Sequence, residues 1–540
     1  MNNIKSLLGV FLWIGLEAGA QPVERVLPMA GTPSLSGSFG ELRATHLHAG
    51  VDFRTGGRTG LPVRCVDDGI VARVNISAGG YGQALYIEHP DGVTSVYAHL
   101  ARFHPRVEAL VREIQYREER FEIDEEVKTL RLFFRKGDTI AWSGNTGSSG
   151  GPHLHFEYRN TLTEMALDPL YYIRVRDQIA PVFHALYLYR ADGEGREERV
   201  GQLFPRVVAG NTYRAEAVRV PAGKIGIGAW ITDAMNGSSG KLGVHTLEVT
   251  VDGEPLFVLI LNRLSFDRTE LIHALKDFSL YTEGKTVYRC FGRSLRELAG
   301  VRMTDDGWME LAEGAERTVE VKATDRSGNI VRLRFQVIGL PAPKPKSGKV
   351  LKPGCPHRLA AGRYSLFLDS AALFSAVDSL ASVDPAGSFV VSETVRPLKT
   401  KGILRISGVS DPRTVICRFT EKGKREALRT FRDSAGMYAL VGTLGKFTYV
   451  RDTVPPVIEY TGVSGGTVRI RIKDDCAGID TYRVEANGEW MLFEYDAKTA
   501  TLAGDLRDSR LKKGQTNRLV VSVTDRAGNK HEKRFQVPIR

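Results

Sequence analysis

The sequence "SGNTGSSGGPHLHFE" (residues 143–157) joins a glycine-rich, proline-ended loop to a run of strand-forming residues that carries two histidines. Residues i and i+2 of a strand point to the same face, about 6.6 Å apart along the chain. His153 and His155 can therefore face one cleft, and Glu157 would extend the row. Such a pair also occurs on ordinary surface strands, but a loop–strand junction is a place where functional sites are often built.

Two stretches upstream carry further candidate residues. "HLHAGVDF" (46–53) contains His48-x-x-x-Asp52, and imidazole and carboxylate are both zinc ligands. Glycine and the β-branched and aromatic residues around this pair disfavour a helix, so a turn followed by a strand is predicted. "VYAHL" places His99 on an apolar strand, with Tyr97 expected on the same face. Taken alone, a strand histidine of this kind is usually a structural residue.

The composition is that of a mainly β protein with several domains. The chain has 540 residues, of which 42% are hydrophobic, 25% are charged and 56 are glycine. At about 150 residues per domain, this length predicts three or four domains. The net charge is +11, but lysine and arginine are spread along the chain without a basic run or a nucleic-acid motif. Nucleic acid is therefore not expected as a partner, and an anionic envelope polymer or simple solubility accounts for the charge.

The N-terminus has the pattern of an export signal over residues 1–20. "MNNIK" supplies a positive end, "LLGVFLWIGL" an apolar stretch of 10 residues, and "AGA" a cleavage site before Gln21. Ten apolar residues are too few to span a bilayer, which takes about 20; an uncleaved membrane anchor is the alternative. No later segment has a transmembrane pattern. We therefore expect an exported chain, in the periplasm or cell envelope of a bacterium or secreted, with no membrane span after signal removal.

Internal repeats indicate a duplicated β domain. "VKATDRSGNIVRLRFQV" (321–337) recurs as "VSVTDRAGNKHEKRFQV" (521–537), each predicted as a strand, a D-x-x-G-N turn and a second strand. "VRDQIAPV" (175–182) likewise resembles "VRDTVPPV" (450–457). These pairs predict two copies of one β-sandwich, whose D-x-x-G-N ending is similar to that of bacterial immunoglobulin-like modules.

The predicted domain order follows from these signals. The seven histidines between residues 46 and 155 set the first domain apart, and a charged segment with helical periodicity interrupts it. The prediction is a signal peptide (1–20), a β-rich histidine-bearing domain (21–175) with a helical insertion (105–123), an immunoglobulin-like β-sandwich with an insertion (177–340), a Pro/Lys-rich linker (341–354), a β domain of unknown type (355–452) and a second immunoglobulin-like β-sandwich (453–540).

In chain order, the motifs of the first domain resemble the LytM/lysostaphin-type zinc metallopeptidases, a family of bacterial cell-wall endopeptidases. The resemblance covers about residues 38–175 and rests on "FGELRATHLHAGVDF", "GLPVRCVDDGIVARV", "GYGQALYIEHPDGVTSVYAHL", "KGDTIAWSGNTG" and "GPHLHFE". It implies a β-rich fold of the duplicated-hybrid-motif type. Where the family has a short connection between "YAHL" and "KGDTIAWSG", this chain carries the helical insertion. That departure leaves the substrate specificity open.

The resemblance also implies the roles of individual residues. One zinc ion per chain would be held by His48, Asp52 and His155. The two unligated catalytic histidines would be His99 and His153. Every one of these positions holds the residue type that the family requires.

The expected chemistry is metal-assisted amide hydrolysis. Zinc held by two neutral imidazoles and a carboxylate keeps a position open for water and lowers the pKa of that water towards about 7. One unligated histidine would move the protons and the other would stabilise the oxyanion, and which does which is left open. Tyr97 and Glu157 are candidates for orienting the ligand imidazoles.

The function implied by the resemblance is an exported zinc endopeptidase that hydrolyses the peptide cross-links of bacterial peptidoglycan by zinc-activated water. Its partners would be peptidoglycan stem peptides and, through the C-terminal β-sandwiches, envelope proteins. One alternative is a non-catalytic regulator or activator of other cell-wall hydrolases, and another is a wall-binding adhesion module. The complete set of ligand residue types favours the enzyme.

Overall fold

About half of the chain forms strands, nearly all of them paired antiparallel, and helices are a small fraction, which confirms the mainly β prediction. Along residues 331–337, for example, buried apolar residues alternate with exposed polar ones, because successive side chains of a strand point to opposite faces. The computed structural model describes residues 25–238, 240–344 and 346–539. The predicted signal peptide (1–20) lies outside the described residues.

The N-terminal region consists of two antiparallel sheets. Its strands are β1 (Leu35–Gly37), β2 (Val51–Arg54), β3 (Pro62–Arg64), β4 (Gly69–Ile76), β5 (Gln83–Glu88), β6 (Val93–Ala98), β7 (Leu100–Phe103), β8 (Ile123–Glu126), β9 (Phe133–Phe134), β10 (Thr139–Ser143), β11 (His153–Asn160) and β12 (Ala166–Leu167). The larger sheet runs β1-β2-β11-β6-β5-β4-β8, and the smaller one runs β3-β10-β7. Strand β11 lies inside the larger sheet and is buried on both faces, so the histidine pair is carried by a rigid element.

Helices are few and short. The helix predicted at 105–123 is present as α1 (Pro105–Glu118). His104 caps its N-terminus, and Val107 and Ile114 bury its apolar face. The other helices are α2 (Ile272–Leu275) and α3 (Phe278–Thr282), with 3-10 turns at Lys128–Leu130, Pro169–Tyr171, Phe266–Leu271, Arg293–Glu297 and Asp305–Gly307. Within the described ranges, no helix is long and apolar enough to cross a membrane.

The second region is a pair of sheets that shares its core with the first. Its strands are β13 (Val182–Ala191), β14 (Glu197–Leu203), β15 (Arg206–Ala209), β16 (Thr212–Arg214), β17 (Val218–Pro221), β18 (Gly223–Thr232), β19 (Thr246–Val251), β20 (Glu254–Ile260), β21 (Arg263–Leu264), β22 (Val287–Arg289), β23 (Val301–Met303), β24 (Met309–Leu311), β25 (Glu316–Thr324) and β26 (Ile330–Leu340). One sheet runs β14-β13-β18-β22 and the other β15-β16-β26-β25-β19-β20-β23. Strand β21 pairs with β12, and one hydrophobic cluster extends through both regions. The two regions therefore support each other, while the predicted boundary between them stays a prediction.

The C-terminal half forms two further pairs of sheets with separate cores. The strands are β27 (Val350–Leu351), β28 (His357–Ala361), β29 (Tyr364–Leu368), β30 (Val377–Asp378), β31 (Ser382–Val383), β32 (Phe389–Val390), β33 (Arg396–Ile406), β34 (Thr414–Phe419), β35 (Arg425–Ala427), β36 (Phe431–Asp433), β37 (Gly436–Leu444), β38 (Lys446–Arg451), β39 (Val457–Ser464), β40 (Thr467–Lys473), β41 (Ile479–Ala486), β42 (Glu489–Trp490), β43 (Glu494–Asp496), β44 (Thr501–Asp505), β45 (Thr516–Asp525) and β46 (Lys530–Pro538). The sheets run β28-β29-β33-β37-β36 against β31-β32-β38-β34-β35, and β39-β40-β44-β43 against β42-β41-β45-β46, while β27 and β30 form a separate two-stranded sheet.

The last pair of sheets, which we call the terminal sandwich (453–540), folds back onto α1. The Tyr116 hydroxyl donates a hydrogen bond to the Asp508 carboxylate. The Tyr116 ring packs edge-on against Trp490, with ring centroids 5.1 Å apart. Arg483 also pairs with Glu119 at the end of the helix, at 2.7 Å. The terminal sandwich therefore packs against the insertion helix α1.

Candidate metal centre and catalytic cleft

Strand pairing brings the three predicted metal ligands together. Strands β2 and β11 are antiparallel with His155 opposite Asp52, so the two side chains share one face. His155 Nδ1 lies 2.9 Å from Asp52 Oδ1. His48, on the turn before β2, places Nε2 3.0 Å from both of these atoms. All three residues are buried, and three donor atoms this close together can bind one metal ion.

Hydrogen bonds determine which nitrogen of His48 and of His155 faces the space between the three donor atoms. His48 Nδ1 donates to the Ser38 carbonyl oxygen at 2.8 Å, which leaves Nε2 with its lone pair. His155 Nε2 donates to Glu157 Oε1 at 2.8 Å, which leaves Nδ1 directed at Asp52. A metal-ligating histidine usually donates its second N–H in this way. The donor set, two imidazoles and one carboxylate, therefore fits zinc.

Glu157 is the centre of a buried charge network behind His155. Its carboxylate also accepts hydrogen bonds from Arg159 Nε at 2.8 Å and from the Tyr81 hydroxyl at 2.6 Å. Burial would raise the pKa of Glu157, but the charge of Arg159 and the bond from His155 outweigh it and lower the pKa to about 2. Burial would likewise lower the pKa of His155, but its bonds to Asp52 and Glu157 raise it to about 9. Glu157 is thus placed to orient His155, the role considered for it from the sequence.

His99 enters the cleft through a distorted backbone. It lies between β6 and β7 with φ at 56°, a left-handed conformation that few non-glycine residues adopt. The kink carries the chain from the larger sheet into the smaller one. His99 Nδ1 donates to the Thr146 carbonyl oxygen at 2.9 Å, which leaves Nε2 unprotonated in the neutral ring. Burial, together with the nearby His155 and His153, lowers the pKa of His99 to about 3.

His153 lies beside His99 at the open edge of the site. Their ring centroids are 4.7 Å apart. His153 Nδ1 donates to the Gly151 carbonyl oxygen at 2.8 Å, and its Nε2 is 3.5 Å from Asp52 Oδ1. Its side chain is 16% exposed, compared with 8% for Asp52. The structure therefore brings all five predicted histidine and aspartate residues to one cleft, with His153 nearest to solvent.

Tyr97 lies away from the cleft. Its hydroxyl accepts hydrogen bonds from the Val66 amide and the Ser95 hydroxyl, both at 3.1 Å, and its ring packs against Phe156. Regular alternation would have placed Tyr97 on the same face as His99. Tyr97 lies opposite Phe156 and points into the core, and the left-handed turn at His99 interrupts the alternation and directs His99 to the cleft instead.

Arg43 is a site residue that spacing arguments did not identify. One guanidinium nitrogen lies 2.8 Å from Asp52 Oδ2, the oxygen that faces away from the histidines. This contact holds the carboxylate with Oδ1 towards them. A Cβ on Gly37 would lie 2.3 Å from the Arg43 guanidinium and 2.4 Å from Asp52 Oδ2, so the close approach requires glycine. Arg43 lies inside the quoted "FGELRATHLHAGVDF", but nothing in its spacing indicated the contact.

Two lysines from other regions reach the loops around the cleft. Lys276, between α2 and α3, is fully buried and donates to the carbonyl oxygens of Arg43 and Ala44 at 2.5 and 2.8 Å. Lys498 of the terminal sandwich donates to the carbonyl oxygens of Asn145 and Ser149, in the glycine-rich loop before His153. The site is therefore supported by residues more than 200 positions away.

Comparison with known proteins identifies the N-terminal region. Residues 46–115 match peptidase family M23. The DD-carboxypeptidase/endopeptidase Mpg of Neisseria meningitidis serogroup B is 35% identical over 118 residues, which is 22% of this chain and 21% of that protein. The N-terminal region is a peptidase family M23 domain. The matched segment includes His48, Asp52 and His99.

The matches to other relatives of the M23 domain also cover only a small part of each chain. Lysostaphin of Staphylococcus simulans is 28% identical over 131 residues, 24% of this chain and 22% of that protein. The chain thus spans about a fifth of the length of the curated relatives that it matches. The crystal structure of the lysostaphin catalytic domain from the same organism is 26% identical and covers 25% of this chain and 86% of that chain, with a TM-score of 0.18. A score this low adds nothing to the family assignment.

Proposed function

We propose that this protein is an exported, zinc-dependent endopeptidase that hydrolyses the peptide cross-links of bacterial peptidoglycan. The observation that carries the proposal is the convergence of His48 Nε2, Asp52 Oδ1 and His155 Nδ1 within about 3 Å of one another, beside two further histidines. Three protein ligands are the number found in catalytic zinc sites, whereas structural zinc sites are closed by four.

The metal would be held by His48, Asp52 and His155. When bound, zinc supplies Lewis acidity, which activates water and polarises a carbonyl oxygen. Around it, Arg43 holds the free oxygen of Asp52 and Glu157 holds His155. These contacts fix the donor atoms before a metal binds, so little reorganisation accompanies binding.

His153 is assigned the proton transfer. Its Nδ1–H is committed to Gly151, so Nε2 is the nitrogen that can accept a proton from the attacking water. Asp52 Oδ1, at 3.5 Å, stabilises the positive charge that results. The same nitrogen then returns the proton to the leaving amine.

His99 is assigned a positioning task in the same cleft. Its low pKa keeps the ring neutral, and its Nδ1–H is committed to Thr146. Nε2 is therefore a hydrogen-bond acceptor that orients the attacking water or an N–H group of the substrate. This is the division of labour that we propose for the two histidines, whose roles the sequence leaves open.

The substrate class comes from the relatives of the M23 domain. Two of them are named as a DD-carboxypeptidase/endopeptidase and as a glycyl-glycine endopeptidase, of Neisseria and Staphylococcus respectively. A peptidoglycan substrate requires export, in agreement with the signal predicted at residues 1–20. The terminal sandwich reaches the cleft loop through Lys498, so we assign it a part in positioning the wall polymer at the cleft.

Digestion of purified peptidoglycan tests the proposal. The zinc-loaded chain should release new amine ends, and His153→Ala should lower that rate by about 10²–10⁴-fold, the usual contribution of a general base. His46→Ala is the matched control, because His46 is exposed and its side chain contacts Thr45 rather than a ligand. Release of ends by His153→Ala at the wild-type rate would refute the assigned role.

A non-catalytic regulator of other hydrolases would give a different result. Such a protein would release no ends by itself but would accelerate a second cell-wall hydrolase in the same reaction. Its effect would also survive Asp52→Asn, which removes a ligand charge but keeps the shape of the site. The endopeptidase proposal predicts that Asp52→Asn abolishes the release of ends.

A further inference from the structure

A third internal repeat accompanies the two that define the duplicated sandwich. "ITDAMNG" (231–237) matches "IKDDCAG" (472–478), with aspartate and glycine at the same positions. Asp233 directly follows β18 and Asp474 directly follows β40. Both sandwiches therefore place an aspartate at the end of an equivalent strand, next to the D-x-x-G-N turn.

In the sandwich that follows the M23 domain, this aspartate is part of a buried carboxylate cluster. Asp177, Asp233 and Asp325 bring one oxygen each within 4.8 Å of one another. Asp233 is 6% exposed and Asp325 is 3% exposed. The cluster lines a cavity of about 40 Å³. Arg326 lines the same cavity, but it pairs with Asp168 at 3.0 Å instead.

The hydrogen bonding of the Asp233 carboxylate is incomplete. Both oxygens of Asp325 accept hydrogen bonds from Asn329, at 2.8 and 2.7 Å, and Asp177 accepts two, from the Ile179 and Asn236 amides at 3.1 and 3.2 Å. Among the described residues, Asp233 Oδ1 has no hydrogen-bond partner. A buried carboxylate in this situation is unfavourable unless a proton or a cation neutralises it.

The equivalent cluster of the terminal sandwich provides an internal comparison. Asp452, Asp474 and Asp525 also lie within 4.8 Å of one another. There, however, each carboxylate accepts backbone N–H groups, such as Gly478 to Asp474 at 2.6 Å and Ala527 to Asp525 at 2.8 Å. Backbone amides also bind carboxylates of the first cluster, so the difference lies in Asp233 Oδ1: among the described residues, no buried oxygen of the second cluster lacks a hydrogen-bond partner.

We propose that Asp177, Asp233 and Asp325 bind a calcium ion. The donors are carboxylate oxygens, which suit a hard cation rather than zinc. Calcium accepts such ligands in flexible geometry and exchanges its waters for protein oxygens, whereas magnesium keeps several waters and demands near-octahedral geometry. A small buried cavity lined by carboxylates therefore favours calcium.

The position of the ion links the sandwich to the catalytic site. The chain that continues from Asp233 contacts the M23 domain directly: the Leu35 amide donates to Met235 Sδ at 3.2 Å, and the Gly243 amide donates to Ser38 Oγ at 2.8 Å. Ser38 is also the residue whose carbonyl oxygen orients His48. Calcium thus fixes the segment on which the loop before the first metal ligand rests.

Calcium titration of the full chain, freed of metal and reloaded with one equivalent of zinc, tests the site. Calorimetry should give saturable calcium binding, and calcium should raise the melting temperature. Asp233→Asn should weaken calcium binding at least tenfold and remove that rise. Without calcium, Asp233→Asn should melt no lower than the wild type, because the substitution relieves repulsion among the carboxylates. This last result separates loss of a binding site from misfolding.

Asp474→Asn is the matched control, since it changes the equivalent residue of the second cluster and should leave calcium binding to the first cluster unchanged. Asp177→Asn serves as the second variant if Asp233→Asn does not fold, and it too should weaken binding. Absence of binding up to about 10 mM calcium, beyond the affinities of extracellular calcium modules, would overturn the proposal. So would unchanged affinity in both cluster variants, or an equal effect of magnesium at the same concentration.

Discussion

Glu157 orients His155, one of the proposed metal ligands. Its buried carboxylate accepts the second N–H of His155 and is held in turn by Arg159 and Tyr81. Such partners select the tautomer of the ligand and raise its basicity. The sequence pointed to Glu157 because it continues the H-x-H row, whereas Tyr81 and Arg159 gave no comparable signal.

Replacing this carboxylate should weaken the metal site without removing a ligand. Glu157→Gln keeps the shape but loses the negative charge, so zinc affinity should fall about 10–100-fold. Competition with a chromogenic chelator measures the zinc affinity. Glu164→Gln is the control, because Glu164 pairs with Arg159 at the surface and does not contact His155. Equal zinc affinity in Glu157→Gln and the wild type would show that the hydrogen bond has no part in metal binding.

Zinc binding should release a proton from His155. The pKa of His155 is raised to about 9, above its ordinary value of 6.5, so at neutral pH a proton competes with the metal for this ring. Apparent zinc affinity should therefore rise about tenfold per pH unit through neutrality and level off above about pH 9. Calorimetry in buffers of different ionisation enthalpy measures the number of protons released on zinc binding. A heat of binding that is independent of the buffer at pH 7 would contradict the assignment.

At the scale of the elements, two pairs of strands position the site. The strand character of both motifs follows from the sequence, because H-x-H and H-x-x-x-D lie on short strand-forming runs, whereas the pairing of β2 with β11 is seen only in the structure. The kink between β6 and β7 was not predictable in this way. Tyr97 and His99 are two residues apart, and only the left-handed backbone at His99 sends them to different faces.

The kink predicts an inverted order of stability between two substitutions. Glycine is ordinarily less stable than alanine in a strand, but at a φ of 56° alanine bears a steric cost of about 1 kcal/mol that glycine avoids. His99→Gly should therefore unfold at higher denaturant than His99→Ala, although both lose the imidazole. The pair His153→Gly and His153→Ala, on the regular strand β11, should show the ordinary order. The same order at both positions would contradict the conformation described for His99.

At the scale of the whole molecule, the C-terminal end of the chain contacts the N-terminal domain. The terminal sandwich rests on α1 through Tyr116, and its Lys498 reaches the loop before His153. The sequence predicted α1 and the repeated sandwiches because each has a local pattern. It gave no signal for contacts such as Lys276 with Arg43 or Lys498 with Asn145, since pairs so distant in sequence leave no periodicity.

Weakening the contact between α1 and the terminal sandwich should increase the mobility of two segments that are distant in sequence. Tyr116→Ala removes the ring that packs on Trp490 and the hydroxyl that bonds Asp508. Amide hydrogen exchange should then increase both around Lys498 and in the loop 145–149, while β11 stays protected. Arg117→Ala is the control on the exposed side of the same helix. Unchanged exchange at both segments in Tyr116→Ala would show that the sandwich does not depend on this helix.

X-ray absorption at the zinc edge of the full chain tests the central assignment most directly. Zinc should be bound at one equivalent by two imidazole nitrogens and one carboxylate oxygen, at about 2.0–2.2 Å. This protein-ligand set should be unchanged in His99→Ala and His153→Ala, and one imidazole should be lost in His48→Ala or His155→Ala. Failure of the wild type to hold zinc, or loss of an imidazole in His153→Ala, would contradict the division between metal ligands and catalytic histidines.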